Sequence, residues 1–150
     1  YGEPGAADAQ VELAAERARL ADDVRGFPEG FATIVGERGI TLSGGQRQRT
    51  ALGRALLVSA PVLVLDDALA SVDNNTAAAI LESIRAQDGR TIVMISHQLS
   101  AAAACDRILV MDNGRIVQQG HHNALIQATG VYRRLWEREQ AAGQLEGMAS

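Results

Sequence analysis

The chain has 150 residues, of which 47% are apolar and 3% aromatic, with a net charge of −4 and an isoelectric point near 5.3. This size suits one domain with a core of Ala, Leu, Val and Ile, and the acidic balance argues against a dedicated nucleic-acid binder. No apolar run approaches the roughly 18 residues of a membrane helix. The start shows no signal-peptide pattern, and the lone Cys105 rules out an internal disulfide. We therefore expect a soluble piece.

Two absences are informative. All 14 basic residues are arginines, because the sequence contains no lysine. The chain also opens on Tyr1 in the stretch YGEPGAADAQ rather than on Met. This start is typical of the middle of a longer protein, and we expect the sequence to be part of one.

Apolar periodicity predicts a helix over residues 8–25, with a Gly-rich shaped loop over 26–45. A second helix is predicted from 44 to 58, directly after the stretch LSGGQ. The run VLVLDD, residues 62–67, then predicts a buried strand that is covered on both faces, as in a parallel sheet.

The second half of the chain alternates in the same way. The predicted elements are a helix capped by Asp73 and ending near Ala86, a buried strand over 91–96, a short helix over 98–104, a hairpin turning at Asn113-Gly114, and two helices over 122–129 and 131–141. Alternating strands and helices indicate an α/β fold, in which ligands bind at the carboxyl ends of strands. Asp66, Asp67, Ser96 and His97 all fall at such ends.

The stretch from Ser43 to Gln46 has the Ser-x-x-Gln form of a helix capping box. A cap alone does not need Gly44 and Gly45, which each cost a helix about 1 kcal/mol relative to alanine. Glycines at a helix start leave backbone N–H groups bare at the positive end of the helix dipole, where a phosphate can approach. The stretch therefore allows two interpretations, a capped helix or a phosphate site.

The strand-end residues also allow two interpretations each. Asp66 and Asp67 fit a carboxylate site for hydrated Mg²⁺, or acids that cap the next turn. His97 fits a catalytic role or a structural one. The glycine-containing helix start, the pair Asp66 and Asp67, and His97 follow one another along the chain. Their joint occurrence in this order favours the functional interpretation of each.

With these residues in view, the sequence resembles the carboxyl-terminal part of the nucleotide-binding domain of exporter-type ATP-binding cassette (ABC) transporters. LSGGQ matches the family's signature motif, VLVLDD resembles its Walker B strand, and ISHQLS contains its switch histidine at His97. TIVGERG, residues 33–39, resembles the loop before the signature. The D-loop corresponds to ASVD, that is Ala70, Ser71, Val72 and Asp73.

The resemblance implies a partial P-loop NTPase (RecA-like) core with a mainly parallel sheet and flanking helices, plus the ABC helical subdomain. The family's phosphate loop needs a lysine, so we expect that portion to be absent and the isolated piece to be inactive. The expected divisions are a helical subdomain over 1–59, the Walker B, D-loop and switch part over 60–120, terminal helices over 121–141 and a disordered tail over 142–150.

In this family two nucleotide-binding domains pair head to tail around ATP and Mg²⁺. The resemblance implies that Asp66 holds the metal ion through water, and that Asp67 and His97 are the catalytic residues. The signature would contact the nucleotide held by a partner chain. Its residues are Leu42, Ser43, Gly44, Gly45 and Gln46.

Asp67 departs from the family, which usually has Glu there to orient the attacking water. A carboxylate drawn back by about 1 Å can slow the reaction roughly 10²-fold. With an intact signature, this favours the degenerate-site half of a heterodimer. The alternative is that Asp67 works adequately because the backbone adjusts.

The loop before the signature is expected to face the transmembrane domains of the same transporter, with Glu37 and Arg38 as the relay. The full set of loop residues is Thr33, Gly36, Glu37, Arg38 and Gly39. These features imply an ATP-driven transport module at the cytoplasmic face of the cell (inner) membrane, with no nucleic-acid partner.

Two other functions compete with this one. ABC ATPases of DNA repair and chromosome structure share the motifs, but they carry long heptad repeats, and this chain has no sustained heptads. Alternatively the chain is a non-catalytic interaction or regulatory piece. The remaining residues receive structural assignments: Arg47, Arg49 and Arg54 to a solvated or interdomain face, and Tyr132 and Trp136 to docking of the last helix.

Overall fold

A computed structural model describes residues 2–36, 39–86 and 89–148 of the chain. The chain consists of two compact units, Tyr1–Ser96 and His97–Ser150, each of which is built around its own buried residues. Within the described residues, no helix combines the length and the apolar character that crossing a membrane requires.

The first unit opens with two helices where the apolar pattern predicts one. Helix α1 spans Asp8–Arg17 and α2 spans Ala21–Arg25. Arg19 between them adopts a left-handed backbone with φ of +53°, a conformation that a right-handed helix cannot include. The prediction of one continuous helix is therefore wrong. It failed because residues in and after the break, such as Ala18 and Val24, are buried as well and preserve the apolar pattern.

A 3₁₀ turn over Gly30–Ala32 follows, and the predicted second helix is confirmed as α3, Gly44–Leu57. Helix α3 packs closely on α1, since a methyl group on Gly53 would lie 3.6 Å from both the Ala14 carbonyl oxygen and the Ala18 side chain. Strand β1, Val62–Asp66, comes next. Asp73 then caps α4, Asn74–Arg85, as predicted, by accepting the Thr76 N–H at 3.0 Å. The buried face of α4 repeats at helical spacing and consists of Ala77, Ile80, Leu81 and Ile84.

Strand β2, Thr91–Ile95, pairs with β1 in parallel, with Val64 opposite Val93 and Asp66 opposite Ile95. Leu63 and Leu65 are buried, whereas the alternate residues of β1 are exposed. On that exposed face, Val64 is 60% and Ile95 51% accessible. The sequence predicted a strand covered on both faces, and the described residues cover only one face of β1. An apolar run cannot reveal this difference, because it records only that both faces avoid water in the complete fold.

The second unit is a helix-supported hairpin. Helix α5, Leu99–Ala103, precedes strands β3, Ile108–Asp112, and β4, Arg115–Gly120, which pair antiparallel. Asn113 and Gly114 both have positive φ, +47° and +75°, which confirms the predicted Asn-Gly turn. Helix α6 spans His122–Gln127.

Helix α7, Val131–Met148, extends past the Ala141 boundary that the sequence predicted. The tail expected to be disordered is thus helical as far as Met148, because it contains strong helix formers such as Ala, Gln, Leu and Glu. Tyr132 docks α7 as predicted, with only 1% of its surface exposed in a cluster with Ile108, Val110 and Leu125. Burial, together with the charge of Glu139, raises the pKa of the Tyr132 hydroxyl.

Candidate functional site

The stretch LSGGQ forms the start of α3 with the predicted capping box. The Ser43 hydroxyl oxygen accepts the Gln46 backbone N–H at 3.2 Å, and the Gln46 side-chain oxygen accepts the Ser43 backbone N–H at 2.9 Å. Ser43 and Gly44 are exposed. The helix start therefore presents an open polar surface whose geometry is fixed by its own residues.

The side-chain nitrogen of Gln46 makes a hydrogen bond within the same unit. Its side-chain amide donates to one oxygen of Asp23 at 2.8 Å, and Arg49 binds the other oxygen of Asp23 at 2.8 Å. Arg49 also donates to the backbone oxygen of Arg19. The sequence assigned Arg49 to a solvated or interdomain face, and the solvated alternative is wrong. Arg49 instead ties α3 to α2, with only 18% of its side chain exposed.

The two signature glycines differ in their surroundings. A methyl group on Gly45 would lie 3.0 Å from the Ser71 carbonyl oxygen, a distance that forces a backbone shift. A methyl group on Gly44 would find nothing closer than 3.9 Å. Packing within the chain thus explains the glycine at position 45 and leaves the one at position 44 unexplained, apart from access to its backbone N–H.

The acidic pair ends β1. Asp66 is exposed at the carboxyl end of the strand. Asp67 turns the chain away with φ of +45°, a left-handed backbone that Asp adopts more readily than most residues. The Asp67 N–H donates to the Ile95 oxygen of β2 at 3.0 Å, and its carbonyl oxygen accepts the Ala70 N–H at 3.1 Å. Hydrogen bonds at its own N–H and C=O therefore fix this turn.

The predicted D-loop, Ala70 to Asp73, packs against the start of α3. Val72 is buried, and Asp73 serves as the cap of α4. The Thr76 backbone N–H donated to the Asp73 carboxylate lowers the pKa of that group. Ala70 and Ser71 are exposed. The first half of the loop is therefore in contact with solvent, and its last residue caps a helix.

The structure adds one residue that the sequence did not single out. Gln48 lies one turn into α3, and its side-chain oxygen accepts the Ser71 N–H at 2.8 Å. Its side-chain nitrogen donates to the Asp67 carbonyl oxygen at 3.4 Å. The signal in the sequence was a second glutamine two residues after Gln46, in LSGGQRQR, but helical periodicity alone gives such a residue no partner.

His97 is exposed and opens the second unit, two residues before α5. The Gln98 side chain makes no cap for that helix. Glu139 of α7 provides it instead, since its two carboxylate oxygens accept the Leu99 N–H at 3.0 Å and the Ser100 N–H at 3.2 Å. The segment that follows His97 is thus fixed by a residue from the far end of the unit.

The loop before the signature is described in part. The Thr33 hydroxyl accepts the Glu29 N–H at 3.0 Å, and the Gly36 N–H donates to the Ile40 oxygen at 3.1 Å. Gly39 must be glycine, because a methyl group there would overlap the Ile34 carbonyl oxygen. Ile34 itself is 68% exposed. The predicted relay residues Glu37 and Arg38 lie outside the described residues.

No group of three or more His, Cys, Asp or Glu side chains that could hold a metal ion occurs within residues 2–36, 39–86 and 89–148. Mg²⁺ does not need such a cage, because it is commonly held by one or two carboxylates and the oxygens of a bound phosphate. The exposed Asp66 at a strand end fits that requirement as a single ligand.

Comparisons with known proteins agree with these features. The family model described as "ABC transporter" matches residues 4–70. An "Uncharacterized ABC transporter ATP-binding protein" of Haemophilus influenzae is 44% identical, over 99% of this chain and 25% of its own length. "Multidrug resistance-like ATP-binding protein MdlA" of Escherichia coli is 43% identical, over 97% of this chain and 25% of its own length.

Among solved structures, "Structure of a bacterial Atm1-family ABC exporter with ATP bound" matches with a TM-score of 0.84 at 43% identity. The match covers 93% of this chain and 24% of the exporter chain. This likeness confirms the predicted fold class. The chain spans about a quarter of the length of these relatives.

Proposed function

Since this chain belongs to the ABC transporter family and resembles its exporter-type ATP-binding proteins, we propose that it is the signature and Walker B part of a nucleotide-binding domain that drives transport across a membrane. The observation that carries the proposal is the start of α3, where Ser43 and Gly44 are exposed and the capping box fixes the backbone. The full protein would bind and hydrolyse ATP.

In this proposal the start of α3 binds the γ-phosphate of a nucleotide held by a second nucleotide-binding domain. The bare N–H groups and the helix dipole favour an anion there. The Ser43 hydroxyl oxygen accepts the Gln46 N–H and leaves its own proton for the phosphate. Gln46 is engaged with Asp23, so it orients the signature more than it contacts the ligand.

The strand-end residues would serve the chain's own nucleotide. Asp66 would hold Mg²⁺, which when bound neutralises charge on the phosphates. Asp67 would accept a hydrogen bond from the attacking water, and His97 would contact the γ-phosphate. Because phosphoryl transfer needs little covalent chemistry from the protein, these residues act by positioning and by charge. The isolated chain would be inactive, since it contains no lysine for a phosphate loop.

We further propose that the chain's own site is the slow, degenerate one of a heterodimer. Two observations support this. Asp67 carries a short carboxylate, and hydrogen bonds to Ile95, Ala70 and Gln48 hold its main chain, so the turn has little freedom to advance that carboxylate. The start of α3, in contrast, keeps every residue of the signature motif.

The partners in this proposal are a second nucleotide-binding domain and the transmembrane domains of the same transporter, with the module at the cytoplasmic face of the inner membrane. The exposed apolar Phe31, Ile34 and Val35 support a protein-facing role for the loop before the signature. Thr33, Gly36 and Gly39 would shape that loop, and Glu37 and Arg38 would relay closure to the membrane domains.

The test is ATP turnover by the purified full transporter with any co-encoded partner. Ser43→Arg should abolish turnover, because the bulky cation blocks the bare helix start. Asp67→Glu should raise total turnover by up to about twofold, because recovering about 1 Å of reach can be worth up to 10²-fold at the chain's own slow site and would bring that site level with the partner's site. An unchanged rate in Ser43→Arg would contradict the transport-module proposal. An unchanged rate in Asp67→Glu would contradict only the degenerate site.

A further inference from the structure

Gln48 connects three parts of the first unit through one side chain. It lies on α3, four residues after Gly44, which places it about 6 Å along the helix from the signature glycine. Its amide oxygen accepts the Ser71 N–H at 2.8 Å, and its amide nitrogen reaches the Asp67 carbonyl oxygen at 3.4 Å. The side chain thus holds both ends of the segment from Asp67 to Ser71.

A second contact joins the same two elements. The Ser71 carbonyl oxygen lies so close to Gly45 that a methyl group there would be 3.0 Å away. Ser71 is therefore held to α3 by the Gln48 side chain at its N–H, and its carbonyl oxygen lies close against the start of the helix. A shift of the helix start toward Ser71 would therefore displace Ser71.

We infer that Gln48 is a positioning residue that couples the signature to Asp67 of the same chain. The inference rests on the proposed function, in which the signature contacts the partner's nucleotide while Asp67 serves the chain's own. Its role in this inference comes from its bonds to Ser71 and Asp67 and not from a contact with a nucleotide. It transmits the position of α3, which the partner's nucleotide would set, to the turn that aims the Asp67 carboxylate.

The glutamine side chain suits this role because it is neutral and carries both a donor and an acceptor. The Ser71 bond at 2.8 Å is the shorter of the two, so we assign most of the coupling to it. Two replacements separate the bonds. Gln48→Met keeps the length of the side chain and removes both bonds, whereas Gln48→Glu keeps the acceptor for Ser71 and loses the donor to Asp67.

The experiment uses the full transporter with its partner and measures kcat and KM for ATP together with backbone hydrogen exchange at Ser71. For Gln48→Met we expect kcat to fall about tenfold, KM to stay within about twofold, and the Ser71 amide to exchange faster. Without the bridge, the start of α3 and the Asp67 turn shift relative to each other by a fraction of 1 Å, so the signature is also misplaced at the partner's faster site, and such a misplacement slows chemistry more than binding. For Gln48→Glu we expect at least half of the wild-type kcat and a protected Ser71 amide.

The matched control is Gln127→Met, the same replacement at an exposed position that ends α6 and takes no part in the proposed site. It should leave kcat, KM and the Ser71 exchange rate unchanged. A kcat within twofold of wild type in Gln48→Met would overturn the inference. So would an equally low kcat in both Gln48 variants while the Ser71 amide stays protected in Gln48→Glu.

Failure of the proposed function would be visible separately. If Ser43→Arg in the same preparation hydrolyses ATP at the wild-type rate, the signature does not complete a nucleotide site, and the coupling fails with it. If Ser43→Arg is inactive and Gln48→Met is normal, the proposed function stands and only the role of Gln48 is wrong.

Discussion

In the unit Tyr1–Ser96, the neutral amide of Gln48 holds the segment from Asp67 to Ser71, whereas in the unit His97–Ser150 the Glu139 carboxylate holds the start of α5 beside His97. The amide donates at one end and accepts at the other, so it joins two points. The carboxylate only accepts, so both of its oxygens serve one helix start, where the dipole favours negative charge. One unit thus uses its polar anchor as a bridge and the other uses it as a cap.

The difference predicts which anchor is more costly to remove. Charge-assisted hydrogen bonds are about twice as strong as neutral ones. We therefore expect that removal of Glu139 destabilises the start of α5 more than removal of Gln48 destabilises the Asp67 turn. The predictions below test the Glu139 cap first and then contacts within the first unit, all in the full transporter.

The largest effect is expected for Glu139→Ala. It leaves the Leu99 and Ser100 N–H groups without their carboxylate, which should destabilise the start of α5 by about 1–3 kcal/mol. Hydrogen exchange at these two amides should accelerate accordingly. The matched control is Glu137→Ala on the same helix, whose exposed pair with Arg133 is worth only about 0.3–0.5 kcal/mol. Equal exchange rates in the two variants would show that Glu139 is not the cap.

An intermediate effect is expected at the signature glycines. It separates Gly45, which packing against Ser71 explains, from Gly44, which only access to its backbone N–H explains. Gly45→Ala should destabilise the first unit by up to about 2 kcal/mol, because the methyl group meets the Ser71 oxygen at 3.0 Å at a cost of about 1–3 kcal/mol, of which helix propensity offsets about 1 kcal/mol. Gly44→Ala should be neutral or stabilising by up to about 1 kcal/mol, since it gains helix propensity without a clash. Thermal unfolding of the two variants checks this. A Gly44→Ala variant that melts as low as Gly45→Ala would contradict the contrast.

The smallest effect is expected for Asp73→Asn and depends on pH. Folding lowers the pKa of Asp73 below its ordinary value of 3.8, so the charged cap contributes its stability above about pH 4 and loses it as the pH falls through the lowered pKa. Asparagine also caps helices but does not titrate there. The melting temperature of the wild type should therefore exceed that of Asp73→Asn near pH 6, and this difference should shrink as the pH is lowered below about 4. A difference in melting temperature that does not change with pH would show that the charge of Asp73 is not its cause.

Some features followed from the sequence because they depend on neighbouring residues. The capping box of Ser43 and Gln46, the Asp73 cap and the Asn113-Gly114 turn are all contacts within four residues, and the structure forms each of them. The strands β1 and β2 were also predictable, because short apolar runs bounded by turn residues are typical of a parallel sheet. The order of the motifs indicated the family as well.

Other features depend on residues far apart in the sequence, which no local pattern records. The break at Arg19 was missed because burial continues across it. The salt bridge from Arg49 to Asp23, the bridge made by Gln48 and the cap made by Glu139 span 26, 19 to 23, and 39 to 40 residues. Polar side chains on a helix look alike in a sequence, and only the tertiary structure decides which of them face water and which meet a backbone group that needs a partner.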